Sequence, residues 1–328
     1  MPKTQEPGMP VLAIDLGGTN MRAGIISDKG EVLAREYTLT RADEGLEAVI
    51  NRLFTAIDHL LSLKAIRQSP ISTISIAAAG VIDTRQGIIN ASPNLPGWTD
   101  VPLRRLIEDK FKLKVFLLND ANAAALGEHR FGAGKGANNL IYVTVSTGIG
   151  GGIIIDGQLY SGSSGGAGEV GHMTIDINGP KCNCGNVGCL EVLASGTAIA
   201  AEAMRRIRGG ESSFLVKVVD SKIENITAEK VAMAAEQGDS LAVDVIAKAA
   251  GYLGVGIVNL VNIFNPDMVI IGGGVSKIGD RLLNPVRQLV SARAFPLMAQ
   301  AVHILPARLG DDAGVIGAAV FAFEQSSQ

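Results

Sequence analysis

Val11–Thr40 reads VLAIDLGGTNMRAGIISDKGEVLAREYTLT, and Leu140–Tyr160 reads LIYVTVSTGIGGGIIIDGQLY. Both follow one plan. In the first, the apolar run Val11–Asp15 meets a Gly17-Gly18-Thr19 turn and Met21–Ser27 returns. Asp28-Lys29-Gly30 turns again, and Glu31–Thr40 continues as a third strand. In the second, Leu140–Ser146 meets Thr147-Gly148, Gly151–Ile155 returns, Asp156-Gly157 turns, and Gln158–Tyr160 continues. The copies start about 130 residues apart, and a repeat at that distance is a signal of the whole fold. It predicts two α/β lobes facing across a cleft, each hairpin offering backbone N–H groups to one phosphate chain.

The remaining segments extend each copy. Residues 43–64 carry a helical stripe (Leu46, Val49, Ile50, Leu53, Phe54, Ile57, Leu60, Leu61), and Ser72–Ala79 reads as a buried strand. The loop NASPNLPGWTD leads to a helix near Val101–Phe111, then to the strand Val115–Asp120 and an alanine-rich helix. Beyond Tyr160 the pattern predicts helices over Ser195–Arg208, Thr227–Gln237 and Ser240–Phe264. A strand then enters Gly272-Gly273-Gly274, Val302–Pro306 forms a late strand, and Gly314–Phe323 a closing helix.

Composition excludes several classes. The 328 residues exceed the ~250–300 at which single cores stop growing, so about two domains are expected. Net charge is −3 with no long run of Lys or Arg, and aromatics are 4%, which argues against nucleic acid as a ligand. The opening MPKTQEPGMP lacks the apolar core of a signal peptide. The apolar stretch Tyr252–Phe264 is broken by Gly254, Gly256, Asn259 and Asn262, so it reads as a buried helix and no membrane is expected. Three cysteines make a poor disulfide framework and suit thiolate metal ligands in a cytoplasmic protein.

All three cysteines lie in one segment, GEVGHMTIDINGPKCNCGNVGCLE, from Gly168 to Glu191. His172, Cys182, Cys184 and Cys189 supply one nitrogen and three sulfurs, the donor set of a closed, structural Zn²⁺ site. Such a clamp would pin a loop whose ends carry Glu169 and Glu191. Asn119-Asp120 closes the apolar run VFLLND at a strand's carboxyl end, where α/β sheets place ligands; Asp there also suits a helix N-cap. Asp15-Leu16-Gly17-Gly18-Thr19-Asn20 is neither a Walker loop nor a dinucleotide loop, since a hairpin follows it. A carboxylate beside open amides suits Mg²⁺ near phosphates. Thr147-Gly148 offers a matching turn, and Gly272-Gly273-Gly274 a bare backbone against which a nucleoside can lie.

Together these motifs resemble the family named for repressors, open reading frames and kinases (ROK), and within it the bacterial glucokinases. DLGGTN, NLPGW, LNDANAAALGE, STGIGGG, GEVGHM, CNCGNVGCLE and IIGGGVS occur in family order over nearly the whole chain. The resemblance implies an actin-like ATPase (ribonuclease H-like) fold and ATP-dependent phosphorylation of a hexose, glucose first, at its 6-hydroxyl. It implies a small N-terminal domain, 1–118, completed by a closing helix over 312–328, and a larger domain, 119–311, with the zinc loop. By matching position, Asp120 would be the base, while Asn94, Asn119, Glu169, His172 and Glu191 would hold the other hydroxyls. Asp15, Gly17, Gly18, Thr19, Asn20, Thr147 and Gly148 would cradle the phosphates of ATP with Mg²⁺, and Gly272–Gly274 its nucleoside. His172 would serve zinc with one ring nitrogen and the sugar with the other. Family members are commonly dimers or tetramers, so a homo-oligomer is expected.

Other readings are weaker. Kinases of N-acetylglucosamine, N-acetylmannosamine, mannose or fructose share the motifs, but NLPGW favours glucose. A sugar-responsive repressor needs a helix-turn-helix ahead of the first strand, and that strand starts near Val11. Polyphosphate in place of ATP is not discriminated by the phosphate turns.

Overall fold

Two five-stranded sheets carry the chain, and both have the same strand order. The first contains β1 (Val11–Leu16), β2 (Asn20–Ile26), β3 (Val32–Leu39), β4 (Thr73–Ala78) and, beyond a small sheet, β8 (Lys114–Asn119). The small sheet is β5 (Val81–Asp83), β6 (Ile88–Ala91) and β7 (Thr99–Val101). The second large sheet contains β9 (Leu140–Val145), β10 (Ile149–Ile155), β11 (Gln158–Leu159), β12 (Met268–Gly272) and β13 (His303–Pro306). The orders are β3-β2-β1-β4-β8 and β11-β10-β9-β12-β13. In each, the first three strands form an antiparallel meander and the last two join in parallel. The sequence repeat is therefore a repeat of topology. This computed structural model describes residues 9–63 and 70–326; the stretch before Met9, the end of the helix expected over 43–64, and the last two residues lie outside the described residues.

β1, β4 and β9 are buried almost throughout and mostly apolar on both faces, Ser75 in β4 being the main exception, because both faces are covered. One face of the first sheet packs with the helix Leu46–Ser62 around Leu53, Ile57, Ile74 and Ile76. The second sheet packs with Ser240–Phe264, whose buried stripe includes Leu253, Ile257 and Val261. That helix alone, among the described residues, has the length and apolarity to cross a membrane, and most of its apolar surface lies inside the fold.

A third core joins the two halves. The helices Asp120–Phe131 and Ala313–Ser326 bury alanines against each other and against Ala13, Ala77, Tyr142 and Ile270 from both large sheets. The crossing needs glycine. A Cβ on Gly317 would overlap the carbonyl oxygen of Ala123, and one on Gly127 would press on that of Ala313. Beside it Glu128, fully buried, accepts hydrogen bonds from the amides of Ala133 (2.8 Å), Arg308 (2.8 Å) and Leu309 (2.7 Å).

Two details differ from expectation. NASPNLPGWTD is not all loop: Asn90–Ala91 and Thr99–Asp100 belong to β6 and β7, strands too short to show a period among prolines and glycines. The first helix starts at Leu46, because Gly45 takes a φ of 91° that breaks it from the short turn Ala42–Glu44. Between β12 and β13 lie two further helices, Asp280–Arg293, which carries Pro285 inside it, and Pro296–Ala301, which Pro296 opens.

Gly317→Ala should destabilise the protein by about 1–3 kcal/mol through overpacking at this crossing. Urea unfolding measures it, and an unchanged midpoint would mean that the helices part at little cost.

Candidate active site

The two hairpin turns and two strand ends meet where the sheets face each other. The first turn is braced from β3: the Thr40 amide donates to Thr19 O (2.8 Å), its hydroxyl to Gly17 O (2.6 Å), and Tyr37 Oη to Asn20 Oδ1 (2.7 Å). The amides of Gly18 and Thr19 enter no hydrogen bond among the described residues, nor do those of Thr147 and Gly148 in the second turn. Open main-chain donors at a strand end await an acceptor.

Asn119 ends β8 and caps the next helix, accepting from Ala121 N (2.9 Å) and Asn122 N (3.1 Å) while its amide donates to Gly80 O (3.2 Å). This fixes Asp120 as the first helical residue, with Oδ1 2.8 Å from the Ala121 amide. Burial raises the Asp120 carboxyl above its ordinary 3.8, against that hydrogen bond. Asp15, at the end of β1, is pushed up to about 7 by burial and then by the charge of Asp120, with Arg22 opposing. Glu169 is raised by burial as well, with Asp120 and Glu191 adding to it and His172 opposing. These four carboxylates therefore share one volume.

Asn94 sits across from the first turn. A Cβ on Gly18 would overlap its carbonyl oxygen, so the NLPGW loop and the DLGGTN turn lie backbone to backbone. Leu95 and Trp98, both buried, anchor that loop in the first core. On the opposite side Glu191 Oε2 accepts from Ile149 N (2.9 Å) and occupies the space a side chain on Gly148 would need. Gly272 ends β12, and Gly273, at φ 83°, packs against the Val145 carbonyl. Asn94 and Gly272–Gly274 stand at the margins and make no hydrogen bond to the carboxylates.

The cysteine segment folds as a hairpin closed by bridges between Thr174 and Cys189 and between Lys181 and Val187. His172 Nδ1 and Cys182 Sγ are 3.7 Å apart, Cys184 Sγ and Cys189 Sγ 3.7 Å, and all four donor atoms lie within 4.8 Å of one another. A tetrahedral Zn²⁺ with ~2.3 Å bonds to sulfur sets donors about 3.8 Å apart, so these residues fit the ion. Burial, then the neighbouring thiols, pushes Cys189 up to about 12, and a bound cation is what makes such a thiol a thiolate. The other ring nitrogen of His172 faces Glu169, 3.9 Å from Oε2.

Some residues at the site escaped the sequence reading. Arg22, paired with Asp15 across β1 and β2, reaches its carboxylate at 3.9 Å. Gly314 lets the closing helix touch the Asp15 side chain, and Asp311 approaches Arg22 at 3.6 Å. Their signal was the acidic pair in Gly310-Asp311-Asp312-Ala313-Gly314 ahead of a helix.

The ROK family model matches residues 11–325, and the chain belongs to that family. It is 40% identical over 307 residues to the glucokinase of Halalkalibacterium halodurans, covering 93% of this chain and 92% of that one. It is 37% identical over 309 residues to the xylose repressor of Caldicellulosiruptor bescii, covering 94% of this chain and 76% of the repressor. The crystal structure of a ROK family glucokinase from Streptomyces griseus in complex with glucose and AMPPNP matches with a TM-score of 0.83 at 34% identity, over 96% of this chain and 99% of that one. The two-lobed, actin-like fold of the ROK sugar kinases is the fold of this chain.

The raised carboxyl of Asp120 gives a stability test. A folded pKa above the unfolded 3.8 means that stability falls as pH rises from about 3.8 to the folded value. Without ligands, Asp120→Asn should melt at a higher temperature than the parent at pH 8. The gain should shrink toward pH 4. No gain at pH 8 would show that ionised Asp120 costs the fold nothing.

Proposed function

We propose that this chain is a hexose kinase that transfers the γ-phosphate of ATP to the 6-hydroxyl of glucose. The observations that support this reading are a buried Asp120 carboxyl that raises that of Asp15, and two glycine turns with uncommitted amides. Phosphoryl transfer needs alignment, charge neutralisation and a group that orients the attacking hydroxyl, and little else from the protein.

In this reading the 6-hydroxyl oxygen attacks the γ-phosphorus as its proton passes to Asp120, and the bond to the β–γ bridging oxygen breaks to release ADP. A carboxyl raised by burial is a better match to neutral pH as a base than an exposed one. Asn94, Asn119, Glu169, His172 and Glu191 grip the other hydroxyls, and such a site rejects analogues that leave its polar groups unpaired. Asp15, Gly17–Asn20, Thr147 and Gly148 hold the phosphates, and Gly272–Gly274 the nucleoside. Mg²⁺ arriving with ATP would be held beside Asp15 and supplies charge neutralisation. His172, Cys182, Cys184 and Cys189 would hold Zn²⁺ with no open position, a structural role that leaves His172 Nε2 toward the sugar. Closure of 119–311 against 1–118 and its C-terminal helix excludes water from the transfer. A cytoplasmic setting keeps the thiolates reduced, and a homo-oligomer completes the reading.

Coupled assays over a panel of hexoses should show glucose as the best acceptor; an N-acetylated hexose turning over fastest would defeat that assignment. Asp120→Asn should keep glucose binding by calorimetry and lose ~10²–10⁴-fold in kcat. Metal analysis should find about one zinc per chain, and Cys184→Ser should lose it and bind glucose more weakly. Purified parent protein without zinc would overturn the metal assignment.

A further inference from the structure

Arg22 is an unusual arginine. Its side chain is only 28% exposed, yet among the described residues it makes no hydrogen bond. Its contacts are two loose ion pairs, 3.9 Å to Asp15 Oδ2 and 3.6 Å to Asp311 Oδ2, and the face of Tyr37 at 5.9 Å. A guanidinium carries five donors in a fork suited to two oxygens of one anion. Here that fork is aimed and uncommitted.

Asp311 has a second cation. Its Oδ2 faces Arg22, while its Oδ1 lies 3.9 Å from Lys277 Nζ. Lys277 belongs to the short turn Gly274–Ile278, which the last residue of the triple glycine opens. Alternating charges therefore run Asp15, Arg22, Asp311, Lys277, from the first hairpin to the turn that ends β12. Two cations balance two carboxylates along this line. Asp311 is 66% exposed and free to leave, whereas Arg22 is held by β2 and the ring of Tyr37.

We propose that Arg22 and Lys277 are the cations that receive the phosphate chain of the nucleotide, and that Asp311 stands in for that anion until it arrives. The proposal rests on the kinase reading above, which puts phosphates at the first hairpin and the nucleoside at Gly272–Gly274. A triphosphate entering there brings oxygens to the fork of Arg22 and to the ammonium of Lys277, and Asp311 turns out to solvent. Charge-assisted bonds to phosphate replace looser pairs with an exposed carboxylate.

The test uses the full-length protein with Arg22→Gln, Arg22→Lys, Lys277→Gln and Asp311→Asn. Binding of MgATP without sugar is read by calorimetry, and KM for ATP and glucose by coupled assay. Arg22→Gln and Lys277→Gln should each weaken MgATP by ~10-fold or more, with KM for glucose within about twofold of the parent. Arg22→Lys, which keeps the charge but loses the fork, should fall between. Asp311→Asn should bind MgATP more tightly at low salt, and the gain should fade at high salt. Unchanged MgATP affinity in both glutamine variants would overturn the proposal. So would Asp311→Asn weakening MgATP as much as Arg22→Gln does, because Asp311 would then be a strut. Lys277, exposed on a turn, keeps the test independent of any folding defect at Arg22. A parent protein that binds MgATP but phosphorylates no hexose would sink the kinase reading, and the calorimetric comparison would still judge the cations.

Discussion

The near contact of two helix backbones at Gly127 and Gly317 sets the geometry of everything else. Both sheets place one face against this pair, so their strand ends open toward a common space. Helices rich in alanine have little side chain to hold them at a distance, and a carbonyl touching an α-carbon leaves no slack. The same helices reach the cluster of acids at their starts: Asp120 opens one, and Gly314 in the other rests on Asp15.

That arrangement brings carboxylates together at a cost. Asp15, Asp120 and Glu169 are all raised by burial first, and each is also affected by at least one other group of the site. What offsets the cost is mostly main chain and cation: the Ala121 amide on Asp120, the Ile149 amide on Glu191, and Arg22 on Asp15. A divalent cation held beside Asp15 would offset the cost further. Buried acids held together at such a cost are a common origin of the tension between stability and activity.

Much of this was legible in the chain. The repeat of apolar run, glycine turn and apolar run is written twice, and the two sheets have one order because of it. The metal cluster was legible because thiols are scarce and these are adjacent. What escaped was either short or tertiary. β5, β6 and β7 have three or four residues each, below the length at which alternation shows. Arg22 looks like an ordinary strand residue, and only the register that sets it opposite Asp15 gives it meaning. Glu128 reads as a surface acid on an alanine-rich helix. Its three amide partners come from segments 133 and 308–309, which no local pattern connects to it.

Local chain geometry also ties the cysteine hairpin to the second glycine turn. Cys189 is the residue before the helix Leu190–Ala194, and Glu191 is the second residue of that helix. The Glu191 carboxylate holds the Ile149 amide and fills the space above Gly148. An ion bound at Cys189 would therefore also restrain Glu191 two residues later, and through it the second turn. His172, at the other end of the hairpin, meets Cys182 with one nitrogen and Glu169 with the other. A metal held by these four residues would thus orient Glu191 on one side and Glu169 on the other, so a single cross-link in this segment would position two of the buried-site acids.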